Sequence, residues 1–444
     1  MKNFITSLNN LKFFFISLVS TFVTFVINFF LLPVKPDYFI CNNLKDYDFL
    51  NFNFQYPISC DQESYYSAIR DLSTLFNEGY VYQGRPLYIL INSVIANFLN
   101  ISTFGNVDNF DNVIHVSIII FHTIVISISG YLFFKIFEEK INKNYLNIFL
   151  VSFTFSVSPL FKWGSFDPSN QTLTLLVIML MTYLYLNFPS NLSSRTSLLI
   201  GFLVLFHRTF IVGYILLWLL FFIEKKLNFK LKIIIKTIKQ IFIALIPFLI
   251  YNLYIIVFQE QVPYDENSSH YGQFLWLPLY LFTSRRYEGG WHCMEIPQFI
   301  QCYLIDNFYL ILYLLVPVSF IVLNLLTTKY EKFQELSGFI KFTFMMYLFY
   351  MFIGWYPPIR FSYYSVGHLI ILLSIFFMFN QENKILKFLY IFSIYLYFIF
   401  LNHWNHPNTL DLNYGIYISF LLILFYVIYK IGYKISLKVF LQIL

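Results

Sequence analysis

Long apolar segments recur along the whole chain and are separated by short polar ones. Those long enough to cross a hydrocarbon layer about 30 Å thick as a helix, which takes about 17 to 25 residues, lie at 11–33, 113–137, 146–162, 171–188, 238–258, 307–327, 339–357, 361–380, 385–402 and 413–430. A further apolar segment, 197–223, is interrupted at its middle by His207 and Arg208. The pattern predicts an all-α polytopic membrane protein.

The distribution of basic residues indicates whether segment 197–223 crosses the membrane once or twice. Short cytoplasmic loops collect Lys and Arg, and two short crossings with a cytoplasmic N-terminus place 20 of the 29 basic residues inside, six of them lysines between 225 and 239. A single crossing loses this bias. The sequence therefore predicts about twelve transmembrane helices, cytoplasmic N- and C-termini and an acidic external face with 17 of the 23 carboxylates.

Composition narrows the class of protein further. Apolar residues make up 58% of the chain and charged residues 12%, against roughly 25% charged in soluble domains, which excludes a soluble globular protein and a disordered one. The basic cytoplasmic residues serve as insertion signals, so no nucleic-acid partner is predicted. We expect a multi-pass protein of the inner (cytoplasmic) membrane of a bacterium.

Two connections are unusually long, and both are external in this topology. They are 35–112, after the first span, and 259–306, after the seventh. They divide the chain into a transmembrane module (1–258), a second external loop (259–306) and C-terminal helices with an interfacial tail (307–444). The four cysteines, which lie in these loops, suit an oxidising compartment, with three pairings open; they are Cys41, Cys60, Cys293 and Cys302.

The first loop carries most of the candidate chemistry. Ser59 to Gln62 fits a capping box that opens a helix through Asp71, ending near Gly79. Helical spacing puts Asp61 and Tyr65 on one face of it. A carboxylate there either complements the helix dipole or takes part in chemistry. Gly84-Arg85-Pro86-Leu87-Tyr88 follows, and then a short apolar helix, 89–99, that is expected to lie in the external interface.

This order of motifs resembles the first external loop of GT-C membrane glycosyltransferases. The resemblance is closest to relatives of protein O-mannosyltransferases and lipid A aminoarabinose transferases, in which Asp-Glu-x-x-Tyr-x-x-Ala precedes a basic residue and Pro-Leu. Asp167-Pro168 resembles the second acidic site of that family, and Gly201 to Tyr214 resembles its broken helix pair. Gln62 stands where Glu is usual, and 260–444 carries no part of the resemblance.

The resemblance implies an inverting transfer of a sugar from a polyprenyl-phosphate donor to a lipid, glycan or protein acceptor on the external face. It implies Asp61 as the general base, with Asp167 second. Cations would bind the departing phosphate, and four arginines are the candidates: Arg85, Arg208, Arg285 and Arg286. Glu63, Tyr65 and His207 are supporting candidates. No cofactor is required, although His207 with Asp61 or Glu63 leaves a divalent metal open.

Two other functions fit parts of the pattern. An O-antigen polymerase or ligase also has about twelve spans and external arginines, but its long loop normally lies late in the chain. A non-enzymatic transporter of lipid-linked glycans would carry ionisable residues in several spans, whereas the predicted spans hold few beyond His122, Arg208 and His368.

The predicted topology is tested with thiol reagents that do not cross membranes. In reduced spheroplasts, the native cysteines of loops 35–112 and 259–306 should be labelled, because these loops are external. A cysteine introduced by Asn228→Cys in a cysteine-free background should be labelled only after permeabilisation. Labelling of residue 228 in intact spheroplasts would refute the predicted orientation.

Overall fold

The computed structural model describes eleven continuous segments of the chain and several shorter pieces. The segments are 14–23, 43–49, 52–58, 62–76, 81–102, 110–136, 172–187, 192–224, 230–259, 315–327 and 340–345, and the pieces are 146–147, 149–151, 153, 370, 372–376, 387–388, 391–392 and 421. The nine helices that carry the description below are α1 (Phe14–Val23), α2 (Gln62–Arg70), α3 (Pro86–Ser102), α4 (Phe110–Ile136), α5 (Leu173–Asn187), α6 (Ser194–Val204), α7 (Thr209–Ile223), α8 (Leu231–Phe258) and α9 (Leu315–Thr327).

Helices account for nearly all of the described chain, as the apolar pattern predicts. Two of them, α4 with 27 residues and α8 with 28, are long and apolar enough to cross a membrane. At 1.5 Å per residue each is about 40 Å long. The neighbours of α4 bury most of its surface, whereas α8 exposes large apolar side chains along its length, among them Phe242, Ile250 and Phe258. An apolar surface of this extent is typical of a helix that contacts lipid or another protein.

The all-helical prediction is incomplete in the first loop. Residues Asn43–Phe49 (β1) and Phe52–Ile58 (β2) form an antiparallel pair in which Tyr47 lies opposite Phe54. The sequence of β2, Phe-Asn-Phe-Gln-Tyr-Pro-Ile, alternates apolar and polar residues, which is the pattern of a half-buried strand. The alternation indicates such a strand, although the elements predicted for this loop are helices after Ser59 and at 89–99, with none at 43–58.

The short apolar helix predicted at 89–99 is longer in the structure and packs differently. It is α3, with 17 residues, and it begins at Pro86, a residue that suits the first helical position because its missing N–H has no partner there. Tyr88 contacts His122 and Asn92 contacts Ser117. These pairs run in opposite directions along the two helices, so α3 packs antiparallel against the first half of α4.

The break predicted at His207-Arg208 is confirmed. Helix α6 ends at Val204 and α7 begins at Thr209. The hydroxyls of Ser197 and Tyr214 lie 2.7 Å apart, and Ser197 Oγ donates to Gln240 at 2.6 Å. Ser197 and Tyr214 are at similar distances from the break, so α6 and α7 form an antiparallel hairpin. With 11 and 15 residues, both helices are shorter than a bilayer core requires.

The turn of this hairpin lies near the middle of both long helices. Phe206 stacks on Phe121 of α4, with ring centroids 5.7 Å apart, and Arg208 lies over the ring of Phe248 in α8 at 5.5 Å. Phe121 is about 16 Å from the start of α4, and Phe248 is about 15 Å from the end of α8. The turn is therefore recessed between the helices instead of lying level with their ends.

Polar side chains join helices both inside the bundle and at its exposed edge. Ser17 of α1 donates to the carbonyl of Ser127 in α4 at 3.1 Å. At the end of α7, Glu224 accepts hydrogen bonds from Tyr185 of α5 and, at 2.6 Å, from Lys341. Hydrogen bonds between hydroxyl-bearing helices are common where lipid surrounds the bundle, because the hydrophobic effect does not drive association there.

Gly201 sets the closest approach between α6 and α8. A Cβ atom at Gly201 would lie 2.5 Å from the carbonyl oxygen of Ala244 and 2.7 Å from Pro247 Cδ. The first neighbour is backbone, which cannot move aside alone. Small residues at such crossings let two helices pack backbone to backbone.

We expect Gly201→Ala to destabilise the protein by about 1–3 kcal/mol, the usual cost of overpacking. Leu199→Ala on the exposed face of the same helix is the control and should change stability little. Equilibrium unfolding in mixed micelles measures both variants. Equal stability of Gly201→Ala and the wild type would contradict the close packing of α6 on α8.

Candidate functional site

Three segments from distant parts of the sequence meet at the α6–α7 turn. They are the buried face of α2, the 3-10 helix Val81–Gly84 with the start of α3, and the turn at 205–208. The backbone N–H of Leu87 donates to the carbonyl of Leu205 at 3.2 Å. This bond brings Arg85 and Arg208, 123 positions apart in the sequence, to one place. We call the group formed by Tyr65, Gly84, Arg85, His207 and Arg208 the arginine cluster.

Arg85 is held by the first turn of α3 and by α2. Its side chain is only 8% exposed, and its backbone N–H donates to the carbonyl of Tyr82 at 2.9 Å. The guanidinium donates from Nη1 to the hydroxyl of Tyr65, and its Cζ lies 5.9 Å from the centre of the Tyr65 ring. Tyr65 therefore partly replaces the hydration that the buried charge has lost.

Arg208 occupies the space above Gly84. A Cβ atom added to Gly84 would lie 2.7 Å from Arg208 Nη2 and 3.2 Å from its Cζ. The other face of the guanidinium lies over Phe248. The absence of a side chain at Gly84 thus allows the second guanidinium to reach the segment that carries the first.

Helix α2 is fixed to α4 by two polar contacts on successive turns. The Tyr66 hydroxyl and His115 Nδ1 form a hydrogen bond of 2.7 Å, and Arg70 pairs with Asp111 at the start of α4. Tyr65, Tyr66, Ala68 and Ile69 are buried, so α2 packs on α3 and α4 through one face. That face presents Tyr65 to Arg85.

His207 lies in the turn, outside both α6 and α7. Its Nδ1 accepts a hydrogen bond from the backbone N–H of Thr209 at 3.2 Å and lies 2.6 Å from Thr209 Oγ1. The side chain is buried and directly precedes Arg208 in the turn. Because an amide N–H can only donate, Nδ1 carries no proton and the imidazole is neutral.

The structure describes four of the side chains singled out from the sequence and brings them together: Tyr65, Arg85, His207 and Arg208. Glu63 lies in the first turn of α2. The remaining candidates, like all four cysteines, lie outside the described residues: Asp61, Asp167, Arg285 and Arg286.

Sequence reasoning missed three participants. Gly84 provides space for Arg208, Phe248 supports its guanidinium, and Thr209 orients His207. A glycine directly before Arg85 is a sequence signal for close approach of another segment. Phe248 has no such signal, because it is one of 57 phenylalanines.

A divalent metal does not fit the described part of this site. Within the described residues no group of three or more His, Cys, Asp or Glu side chains is arranged to hold one. His207 is the one candidate ligand with a described side chain, and two guanidinium charges act on it. Their repulsion disfavours a cation beside His207, so we assign no step to a metal.

Comparisons with protein-family models, with curated proteins and with solved structures found no match to this chain.

The arginine cluster has the composition of an oxyanion site. Two guanidinium groups offer planar sets of N–H donors that match phosphate or carboxylate oxygens. Helices α3 and α7 both begin at the cluster, and helix N-termini carry partial positive charge. An anion that contacts both guanidinium groups would reduce the repulsion between them. The described part of the cluster contains no carboxylate.

We expect Tyr65→Phe to destabilise the protein by about 1.5–3 kcal/mol, the usual contribution of a hydrogen bond to a charged group. The variant leaves Arg85 buried without the Tyr65 hydroxyl. Tyr251→Phe is the control: the Tyr251 hydroxyl is buried and has no hydrogen-bond partner among the described residues, so a loss below about 1 kcal/mol is expected. Unfolding in mixed micelles compares the two, and a larger loss for Tyr251→Phe would contradict the role given to Tyr65.

Proposed function

We propose that this chain is an integral membrane glycosyltransferase of the GT-C type, which transfers a sugar from a polyprenyl-phosphate donor to an acceptor on the external face. The observation that carries the proposal is the convergence of Arg85 and Arg208 in a buried, recessed cluster. Two guanidinium groups held at one place offer several N–H donors to the oxygens of a single anion. A lipid-linked phosphate is an anion that reaches such a site from the bilayer.

The membrane arrangement that we propose has about twelve spans, with both termini in the cytoplasm. Helices α4 and α8 support it by their length. In this topology α4 begins and α8 ends on the external side, so the arginine cluster lies about 15 Å below the external ends of both helices. The active site would then be a recess open to the external face, at a depth that a lipid phosphate can enter.

The proposed reaction is an inverting displacement at the anomeric carbon of the donor sugar. The acceptor hydroxyl gives its proton to a carboxylate, and its oxygen forms a bond to the anomeric carbon. The bond from that carbon to the phosphate oxygen breaks, and the electron pair leaves with the polyprenyl phosphate. Arg85 and Arg208 stabilise the negative charge that develops on the departing phosphate.

Asp61 is the proposed general base. It directly precedes the first residue of α2 and stands four positions before Tyr65, which contacts Arg85. A base must come within about 2.6–3.2 Å of the hydroxyl that it deprotonates. Asp167 is proposed to orient the acceptor, and Arg285 and Arg286 remain candidates for further phosphate contacts.

A transporter of lipid-linked glycans remains the competing function. Alternating access would need ionisable groups within several spans. Among the helices that the structure describes, α5 and α7 contain no Asp, Glu, Lys, Arg or His. Among the described residues, Arg85, His207 and Arg208 meet at the α6–α7 turn, which favours a single binding site with chemistry at its edge.

The proposal predicts that donor binding and sugar transfer can be separated by mutation. Asp61→Asn should abolish transfer to an acceptor but bind polyprenyl phosphate as the wild type does, because the proposed base does not hold the phosphate. Arg208→Gln should weaken binding at least about tenfold, the effect of one charge-assisted hydrogen bond. Gly84→Ala should also weaken binding, because the added methyl group displaces the Arg208 guanidinium.

Purified variants in nanodiscs provide both readouts, with a labelled polyprenyl-phosphate sugar for transfer and polyprenyl phosphate for binding. Lys341→Gln is the control and should retain binding, because Lys341 pairs with Glu224 at the C-terminal end of α7, whereas the cluster lies at the N-terminal end. Equal transfer by Asp61→Asn and the wild type would refute the base assignment. Movement of an intact lipid-linked glycan across liposomes, without cleavage, would favour the transporter.

A further inference from the structure

The reaction proposed above assigns no role to Nε2 of His207, which can donate a hydrogen bond. Its Nδ1 accepts the Thr209 backbone N–H, and an amide N–H can only donate. Nδ1 therefore carries a lone pair and no proton. In a neutral imidazole with an unprotonated Nδ1, the proton resides on Nε2, so the contact with Thr209 fixes the tautomer as well as the orientation of the ring.

The Nε2–H group makes no hydrogen bond within the described part of the chain, since the polar contacts of His207 are those of Nδ1 with Thr209. The side chain as a whole is only 7% exposed, but Nε2 is not one of the fully buried, unsatisfied atoms of the described residues. This donor therefore borders accessible space at the edge of a buried site, where the oxygen of a ligand can reach it.

We infer that His207 is a third phosphate-binding group of the site, donating from Nε2–H to an oxygen of the lipid phosphate while Thr209 holds its ring in place. This inference rests on the proposed function, because it takes the bound anion to be the phosphate of the polyprenyl donor. The neutral ring adds a directed hydrogen bond without a third positive charge. A third cation would be costly to bury beside Arg85 and Arg208 whenever the site is empty.

A purely structural role for His207 is the alternative, in which the ring only caps the start of α7 through Nδ1. Two substitutions separate the roles. Asn places an oxygen near the position of Nδ1 and can still accept from Thr209, but it lacks a donor at the position of Nε2. Gln extends an amide N–H towards the position of Nε2 and is less suited to capping.

The test is binding of a polyprenyl monophosphate to the full-length protein in nanodiscs, alongside thermal unfolding of each variant. We expect His207→Asn to retain stability and weaken binding about tenfold or more, the effect of one hydrogen bond to a charged group. His207→Gln should bind within about threefold of the wild type even if it is less stable. Wild-type affinity in His207→Asn would overturn the inference and leave the arginine site intact.

Nitrogen NMR of the wild-type protein with ¹⁵N-labelled histidine tests the same inference without relying on a variant fold. The His207 signals, assigned by their absence from a His207 variant, should report an unprotonated Nδ1 before and after phosphate binding, with the Nε2 signal shifting on binding. An imidazolium signal in the complex would overturn the neutral-donor assignment. If the wild type fails to bind the lipid phosphate at all, the proposed function fails together with the inference.

Discussion

The hydrogen bond from the Leu87 N–H to the Leu205 carbonyl is the contact on which the geometry of the site depends. It joins the first turn of α3 to the turn between α6 and α7. Arg85 lies two residues before the donor and Arg208 three residues after the acceptor, so this one contact sets the separation of the two guanidinium groups. Few water molecules compete for it, because the surrounding residues are buried, and a hydrogen bond in such a setting is stronger than at a surface.

Once the two arginines are brought together, their positive charges restrict which side chains can lie beside them. Tyr65 supplies an oxygen to Arg85, Phe248 supplies an aromatic face to Arg208, and the Thr209 N–H keeps Nδ1 of His207 unprotonated. Tyr65 and Phe248 lower the cost of holding the two guanidinium groups away from water. The N–H donors of both arginines are thereby held at one place, which is the arrangement that the proposed phosphate site requires.

The sequence predicted the elements of this site better than their arrangement. The capping box located α2, a long apolar segment located α4, and the pair His207-Arg208 located the break between α6 and α7, because all three signals are local. The packing of α3 along α4 depends on contacts between Asn92 and Ser117 that no spacing rule contains. An interfacial helix was expected at 89–99 because about 11 apolar residues are too few to span a membrane, whereas α3 has 17 residues.

The depth of the site follows from the register of α6 against α8. Ser197 meets Gln240, and the backbone of Gly201 meets Ala244 and Pro247 one turn later. With α6 fixed at these two levels, the turn after it places Arg208 beside Phe248, one residue beyond Pro247. A slide of one helical turn would move Arg208 by about 5.4 Å and take its guanidinium out of the space beside Gly84. Gly201, which allows α6 to pack closely on α8, therefore also helps to align Arg208 with Arg85.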